Sequence, residues 1–215
     1  MTIEIASDVM CPWCVIGYKN LSSALERLKD QLDADIQFQA FELNPDMPIE
    51  GQSTREHIAE KYGASAEQSR ENQKRITEMG ENAGFHFNFT DDSQMINTFD
   101  CHQLLTWAKQ FDKQVELKMA MFVAHFTENR RLNNIDELLK VVESVGLDRD
   151  EAQAVLSNGT YAEEVRSEQA QLQQMGIHSV PTFIINQKYA INGGQPVETF
   201  VQALTQIQSE QLQTE

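Results

Sequence analysis

The sequence is poor in cysteine, in proline and in positive charge, and each shortage narrows what the chain can be. Three cysteines among 215 residues are too few, and odd in number, for the disulfide framework of a small secreted domain. Five prolines and ten glycines, with no periodic run of either, exclude collagen-like and proline-rich segments. No apolar stretch approaches the ~20 residues that a membrane-spanning helix needs. Lysine and arginine total 17 against 33 aspartates and glutamates, a formal net charge of −16. A surface that acidic repels phosphate backbones and anionic lipid, so neither nucleic acid nor a membrane is an expected partner. The charge serves solubility, and no block of like charge is long enough to act as an interaction tail. The opening Met1-Thr2-Ile3-Glu4-Ile5-Ala6-Ser7-Asp8 lacks the basic region, long apolar core and small-residue cleavage site of a secretory signal. A cytoplasmic location is therefore expected.

What is present is ordinary globular material. Hydrophobic residues make up 40% of the chain, which excludes a disordered protein, and the length suits one domain carrying a substantial insertion. Residues 2–7 place Ile3 and Ile5 in alternation and contain no breaker, which predicts a strand. Cys11-Pro12-Trp13-Cys14 follows, and Leu21, Leu25, Leu28 and Leu32 recur at helical spacing behind it. Residues 36–43 alternate again, a second strand ended by Asn44-Pro45-Asp46-Met47-Pro48. From there to Met175 the signals are mostly helical. Ser53-Thr54-Arg55-Glu56 and Ser65-Ala66-Glu67-Gln68 have the form of capping boxes, and Asp112, Asn134, Asp148 and Thr160 suit N-caps. Phe85-His86-Phe87-Asn88-Phe89 reads as extended. The end returns to strands at residues 181–186 and 189–192, a hairpin about Gln187-Lys188, then Gly193-Gly194 and a last helix opened by Pro196. Beyond about Ser209 the residues are polar, and a frayed end is expected.

The chemistry sits in the Cys-x-x-Cys. Disulfide exchange needs one thiolate to attack and a second thiol to resolve the mixed disulfide. Cys11 falls where strand gives way to helix, where unpaired backbone N–H groups and the positive end of the helix dipole favour a thiolate. Its pKa is thus expected below the ordinary ~8.5. Pro12 suits the first helical turn because its missing N–H would lack a partner there anyway. Cys14, three residues on and deeper, is the expected resolving thiol. A structural zinc site would need two more ligands. Cys101 and His102, the nearest combination, are adjacent on a predicted helix and point apart. No metal is expected, and Cys101 reads as a small buried hydrophobe. Val180-Pro181-Thr182 adds a second element, since an X–Pro bond alone adopts cis at small cost and would expose the backbone before it.

Strand, CPWC, helix, strand, and a late Val-Pro-Thr before a hairpin and helix together resemble the DsbA-like branch of the thioredoxin superfamily. Cys14 and Pro181 are 167 positions apart, far more than a minimal thioredoxin uses. DsbA-like proteins fill that gap with helices. The resemblance therefore implies an α/β thioredoxin fold interrupted by an all-helical insertion, with segments 1–45 and 158–215 flanking residues 46–157. Ser7-Asp8-Val9-Met10-Cys11-Pro12-Trp13-Cys14, Phe41-Glu42-Leu43-Asn44-Pro45 and Gly193-Gly194-Gln195-Pro196 are similar to the FrnE-like group within that branch.

The resemblance implies that Pro181 is cis and faces the thiols, that Pro12 and Trp13 shape the site, and that Val180 and Asn44 bind substrate. It also implies that Glu4 exchanges a proton with Cys14, although Glu4 on the other strand face would meet solvent. Asp8 reads as a turn former, and Asn97 and His102 as residues of the insertion that could line the cleft. Secreted DsbA proteins usually carry His in the active-site dipeptide. Trp13 stands in its place, so a less oxidising pair is expected, suited to reduction or isomerisation. The implied substrates are thiol- or disulfide-containing proteins or peptides. No cofactor is needed, and glutathione is a candidate co-substrate. The rival reading is a glutathione-dependent enzyme of the kappa transferase or 2-hydroxychromene-2-carboxylate isomerase type, families that typically have Ser where this chain has Cys11. Oligomeric state stays open, a homodimer through the insertion being compatible.

Overall fold

The computed structural model describes residues 1–212. Strand β1 (Thr2–Ser7) runs into helix α1 (Pro12–Leu28) and strand β2 (Asp35–Ala40). Strands β5 (Thr182–Ile185) and β6 (Tyr189–Asn192) and helix α9 (Val197–Leu212) close the chain. The sheet has the order β2-β1-β5-β6, with β1 and β2 parallel and the other pairs antiparallel. Ile5 lies opposite Phe38 on one side and Phe183 on the other, and Ile3 lies opposite Ile36 and Ile185. Alternation sends these side chains to one face. There they meet Leu21, Ala24 and Leu28 of α1 and Phe200, Leu204 and Ile207 of α9. Ala6 and Ile184 face the other way, onto Leu172 and Ile177.

Between β2 and β5 lie helices α2 (Thr54–Tyr62), α3 (Ala66–Asn82), α4 (Phe99–Ala108), α5 (Gln114–Phe122), α6 (Ile135–Ser144), α7 (Arg149–Asn158) and α8 (Ala162–Gln174). The insertion is not wholly helical, because β3 (Gln52–Ser53) and β4 (Gln94–Met95) form a two-stranded antiparallel ribbon. Its own apolar core is built by α4 to α7, around Leu104, Leu117, Leu138 and Val142. Two devices tie it to the sheet. Gln114 bonds both backbone groups of Phe38, at 2.8 Å each, and Glu168 accepts from Ala40 N at 3.0 Å. The outer edge of β2 is thereby closed to further strands.

Local details depart from expectation where tertiary contacts override a short motif. Ser65 and Gln68 form a reciprocal capping box, and Asn134 and Asp148 cap α6 and α7. Ser53 makes no side-chain cap because β3 holds it, Asp112 is a left-handed residue after a 3-10 turn, and Tyr161 rather than Thr160 precedes α8. Residues 85–89 are irregular, since Phe85 and Phe87 turn into the core rather than pairing in a sheet. Helix α9 continues past Ser209 to Leu212, and the last three residues lie outside the described chain. Gly194 is needed for packing: a Cβ there would stand 3.1 Å from the carbonyl oxygen of Trp13, so the chain before α9 can approach the CPWC turn only without a side chain.

Candidate active site

Cys11 is the N-cap of α1, in extended conformation (φ −96°, ψ 107°), and Pro12 opens the helix. The Cys14 N–H donates to the Cys11 carbonyl at 3.0 Å, which folds the two thiols onto one turn. They differ in access. Cys11 is 3% exposed and forms part of a cavity wall, whereas Cys14 is 0% exposed and lies behind it. The Val180–Pro181 bond is cis, and the Cys11 thiol points at the Val180 carbonyl oxygen, 3.6 Å away. Trp13 is half-buried, with the Arg75 guanidinium 5.7 Å from its ring centre. Cys11, Cys14, Pro12, Trp13, Val180 and Pro181 thus come together.

Two predicted residues do not join them. Glu4 sits on the strand face opposite Ile3 and Ile5, half-buried, and accepts from Gln39 Nε2 at 2.9 Å. The groups acting on Cys14 are Cys11, Ser7, Lys118 and the backbone of Asp8. Asn44 is held inside the insertion, its Oδ1 3.1 Å from His57 Nε2 and 2.6 Å from Lys61 Nζ. Nor do Asn97 and His102 line the cavity. Asn97 Nδ2 donates to the Met47 carbonyl at 2.9 Å, and His102 is buried against Asp8.

A buried charged cluster lies beneath the thiols. Asp8 Oδ2 accepts from Leu43 N at 2.7 Å, and its Oδ1 is 3.4 Å from Met10 N and 3.4 Å from His102 Nε2. Burial opposes ionisation of Asp8, but His102, the Leu43 N–H and Lys118 outweigh it and hold the carboxyl below its usual value. Lys118, from α5, is 0% exposed. Its Nζ donates to the Ser7 carbonyl at 3.4 Å and lies 5.4 Å and 5.2 Å from the ring centres of Phe38 and Phe122. Burial lowers its pKa, opposed by Asp8 and the three cysteines.

The two active-site sulfurs share a proton problem. Burial penalises both thiolates. At Cys14, the neighbouring Cys11 thiol and Ser7 hydroxyl and the charge of Lys118 more than offset that, and its thiol falls below the ordinary value. Burial and then Cys14 itself push Cys11 well above it. The pair therefore gives up one proton readily and holds the second between its sulfurs. The expectation that Cys11 would be the acidified thiol is not met: burial first and then the Cys14 sulfur push Cys11 up, and Cys14 is the thiol that falls. Cys101, fully buried beside the cluster, has its thiol pushed far up by desolvation.

The cavity above Cys11 has a volume of about 580 Å³. One wall carries a feature no sequence motif announced. Residues Val123–Thr127 form a π-helical turn, closed by Glu128 N donating to Val123 O at 3.0 Å. Such turns are frequent at functional sites. His125, on this turn, lines the cavity and is 9% exposed, and its Nδ1 has no partner. Burial depresses its pKa to about 4, against a smaller opposing effect of the Arg130 backbone. An unfolded His titrates near 6.5. Between those values the unfolded chain takes up a proton that the folded chain refuses, so acidification weakens folding and the contribution is restored as pH rises. We expect the urea midpoint of the wild type to fall between pH 7 and pH 5, toward a full loss of about 3 kcal/mol below pH 4. His125→Leu should flatten that slope, and an equal slope in both proteins would refute the assignment.

Among the described residues no group of three His, Cys, Asp or Glu side chains gathers as a metal site would require, and no helix is long and apolar enough to cross a membrane. A probable DsbA oxidoreductase, SCO1869 from Streptomyces coelicolor, is 32% identical and superimposes with a TM-score of 0.91 over 96% of this chain and 89% of its own. A 2-hydroxychromene-2-carboxylate isomerase (14% identical, TM-score 0.69, all of both chains) shares the fold alone. So does the cytosolic disulfide reductase DsbM from Pseudomonas aeruginosa, solved with glutathione (17%, TM-score 0.65, 96% of this chain and 99% of that one). The model of the DSBA-like thioredoxin domain matches residues 2–205, and the chain belongs to that family.

Proposed function

We propose that the protein is a thiol–disulfide oxidoreductase that exchanges disulfides through Cys11 and Cys14. One observation carries the reading: a thiol at the N-terminus of α1 lines the cavity and has a second, fully buried thiol directly behind it. The Cys11 sulfur attacks one sulfur of a substrate disulfide, and the first substrate thiolate leaves and takes up a proton. Cys14 then attacks Cys11, the mixed disulfide breaks, and the second substrate thiol is released. Two electrons pass from the Cys11–Cys14 pair to the substrate, and the reverse sequence oxidises a dithiol. Val180 lies where it would face the bound substrate, its carbonyl already the partner of Cys11. The two sulfurs carry the electrons, so no cofactor takes part, and glutathione enters as a co-substrate at most. The reading places this chemistry in the cytoplasm, supported by a chain with too few cysteines for a structural disulfide framework.

The test is equilibration in a series of glutathione redox buffers, followed by alkylation and intact mass. We expect Cys11 and Cys14 to change together at one potential, with the mass shifting by two alkyl groups while Cys101 stays constant. A pair that never closes and only gains a glutathione mass would favour the glutathione-dependent isomerase or transferase chemistry instead.

A further inference from the structure

We infer that the substrate of this site is a small, uncharged, apolar disulfide enclosed between Cys11 and helices α2 and α3, rather than a protein chain or glutathione disulfide; this rests on the disulfide-exchange reading above. The first argument is size. The cavity of about 580 Å³ falls within the ~300–1,000 Å³ typical of small-molecule sites. Cys11 forms part of its wall and is 3% exposed, so the reacting sulfur is reached through the cavity rather than from the outer surface.

The second argument is an unfinished helix. None of the nine residues of α2 is buried. Thr54, Ile58 and Tyr62 nevertheless recur at four-residue spacing, so they form one stripe, and all three line the cavity. A helix this short depends on an apolar face that is covered. Tyr62 is 66% exposed, with the Lys61 ammonium 5.7 Å from its ring centre. Across the gap stand Met10 and Met95, whose flexible thioether chains adapt to an apolar guest. A ligand filling the cavity would cover the α2 stripe and the half-buried Met95 in one step, against the already buried Met10.

The third argument is charge. Asp92, Arg130 and Arg131 line the cavity, and Arg130 is paired with Glu128 and Glu137. With Arg130 so neutralised, Asp92 and Arg131 leave the opening without a bias toward anions. The chain as a whole carries −16. Glutathione disulfide, net negative, is repelled by such a field, whereas an uncharged disulfide is not. His125 Nδ1, unpartnered in a neutral ring, offers an acceptor and no positive charge.

Electrons balance as in the exchange above: the dithiol protein becomes Cys11–Cys14 disulfide and one R–S–S–R becomes two R–SH. The test is a single turnover of the reduced protein with dipropyl disulfide, glutathione disulfide or insulin, followed by alkylation. Each rate is divided by that disulfide's rate with dithiothreitol, which removes intrinsic reactivity. The normalised rate for dipropyl disulfide should exceed the other two by about tenfold or more, the scale set by a few buried methylenes. Ile58→Gln, on a helix outside the buried core, should cut the dipropyl-to-glutathione ratio about tenfold. Equal normalised rates, or insulin reacting fastest, would overturn the inference while leaving disulfide exchange in place. Failure of every disulfide to oxidise the pair would overturn both.

Discussion

Cys14→Ser is expected to turn an exchange catalyst into a trap, with each protein molecule ending as a stable mixed disulfide through Cys11. The geometry demands the asymmetry. Cys14 is fully buried behind Cys11, so its sulfur meets substrate only by attacking a Cys11 that already carries one. Remove that sulfur and the first step proceeds while the second has no nucleophile. Cys11→Ser should lose both steps, because the thiol left at position 14 is sealed from the cavity. Intact mass after incubation with a disulfide reads the difference directly: one added substrate thiol in Cys14→Ser, none in Cys11→Ser, and loss of turnover to background in both. A Cys14→Ser protein that continued to turn over with glutathione would show that one thiol suffices, and the resolving role of Cys14 would be wrong. Cys101, whose thiol is pushed far up by burial, should stay unmodified throughout.

The thioredoxin half was legible because its signals are local. Ile3 and Ile5 alternate within six residues, CPWC opens a helix with leucines at helical spacing, and the hairpin turn sits between two short apolar runs. Cys11 and Cys14 were legible for the same reason, since three residues and a helix start define their chemistry. What escaped is what sequence distance hides. Asp8 has the look of a turn former and does lie beside a turn, yet its carboxylate is buried against His102, which is 94 residues away. Lys118 belongs to no motif. Only the docking of α5 against β2, fixed in part by Gln114 on Phe38, carries it beneath the thiols. Glu4 illustrates the converse. A strand offers two faces, and the register that sends Ile3 and Ile5 to the α1 side sends Glu4 to the other. His125 had one available signal, an imidazole amid Phe122, Val123, Ala124 and Phe126, but the π-turn that sets it in the cavity wall has no sequence signature.

Lys118→Met should make the Cys11–Cys14 pair more reducing. The ammonium is fully buried, and the one hydrogen bond recorded for it is long, to a backbone carbonyl. Its favourable interactions are with Asp8 and the thiols, so it stabilises whatever negative charge the dithiol state places on Cys14. The disulfide carries no such charge. Removing the ammonium therefore destabilises the reduced state alone, raises the first thiol pKa of the pair and lowers its reduction potential. A change of one pKa unit corresponds to about 1.4 kcal/mol, or about 30 mV for a two-electron couple. Alkylation at neutral pH should slow about tenfold in parallel, because the thiolate is the reacting species. Methionine keeps the length of the side chain between Phe38 and Phe122, but Asp8 stays buried with His102 as its remaining charged neighbour, and removing one member of a buried charge cluster is destabilising. The melting temperature should fall somewhat, so the potential is the readout that decides, and its shift should survive high salt because a buried charge is poorly screened. A potential that stays fixed while the protein melts earlier would reduce Lys118 to a packing residue.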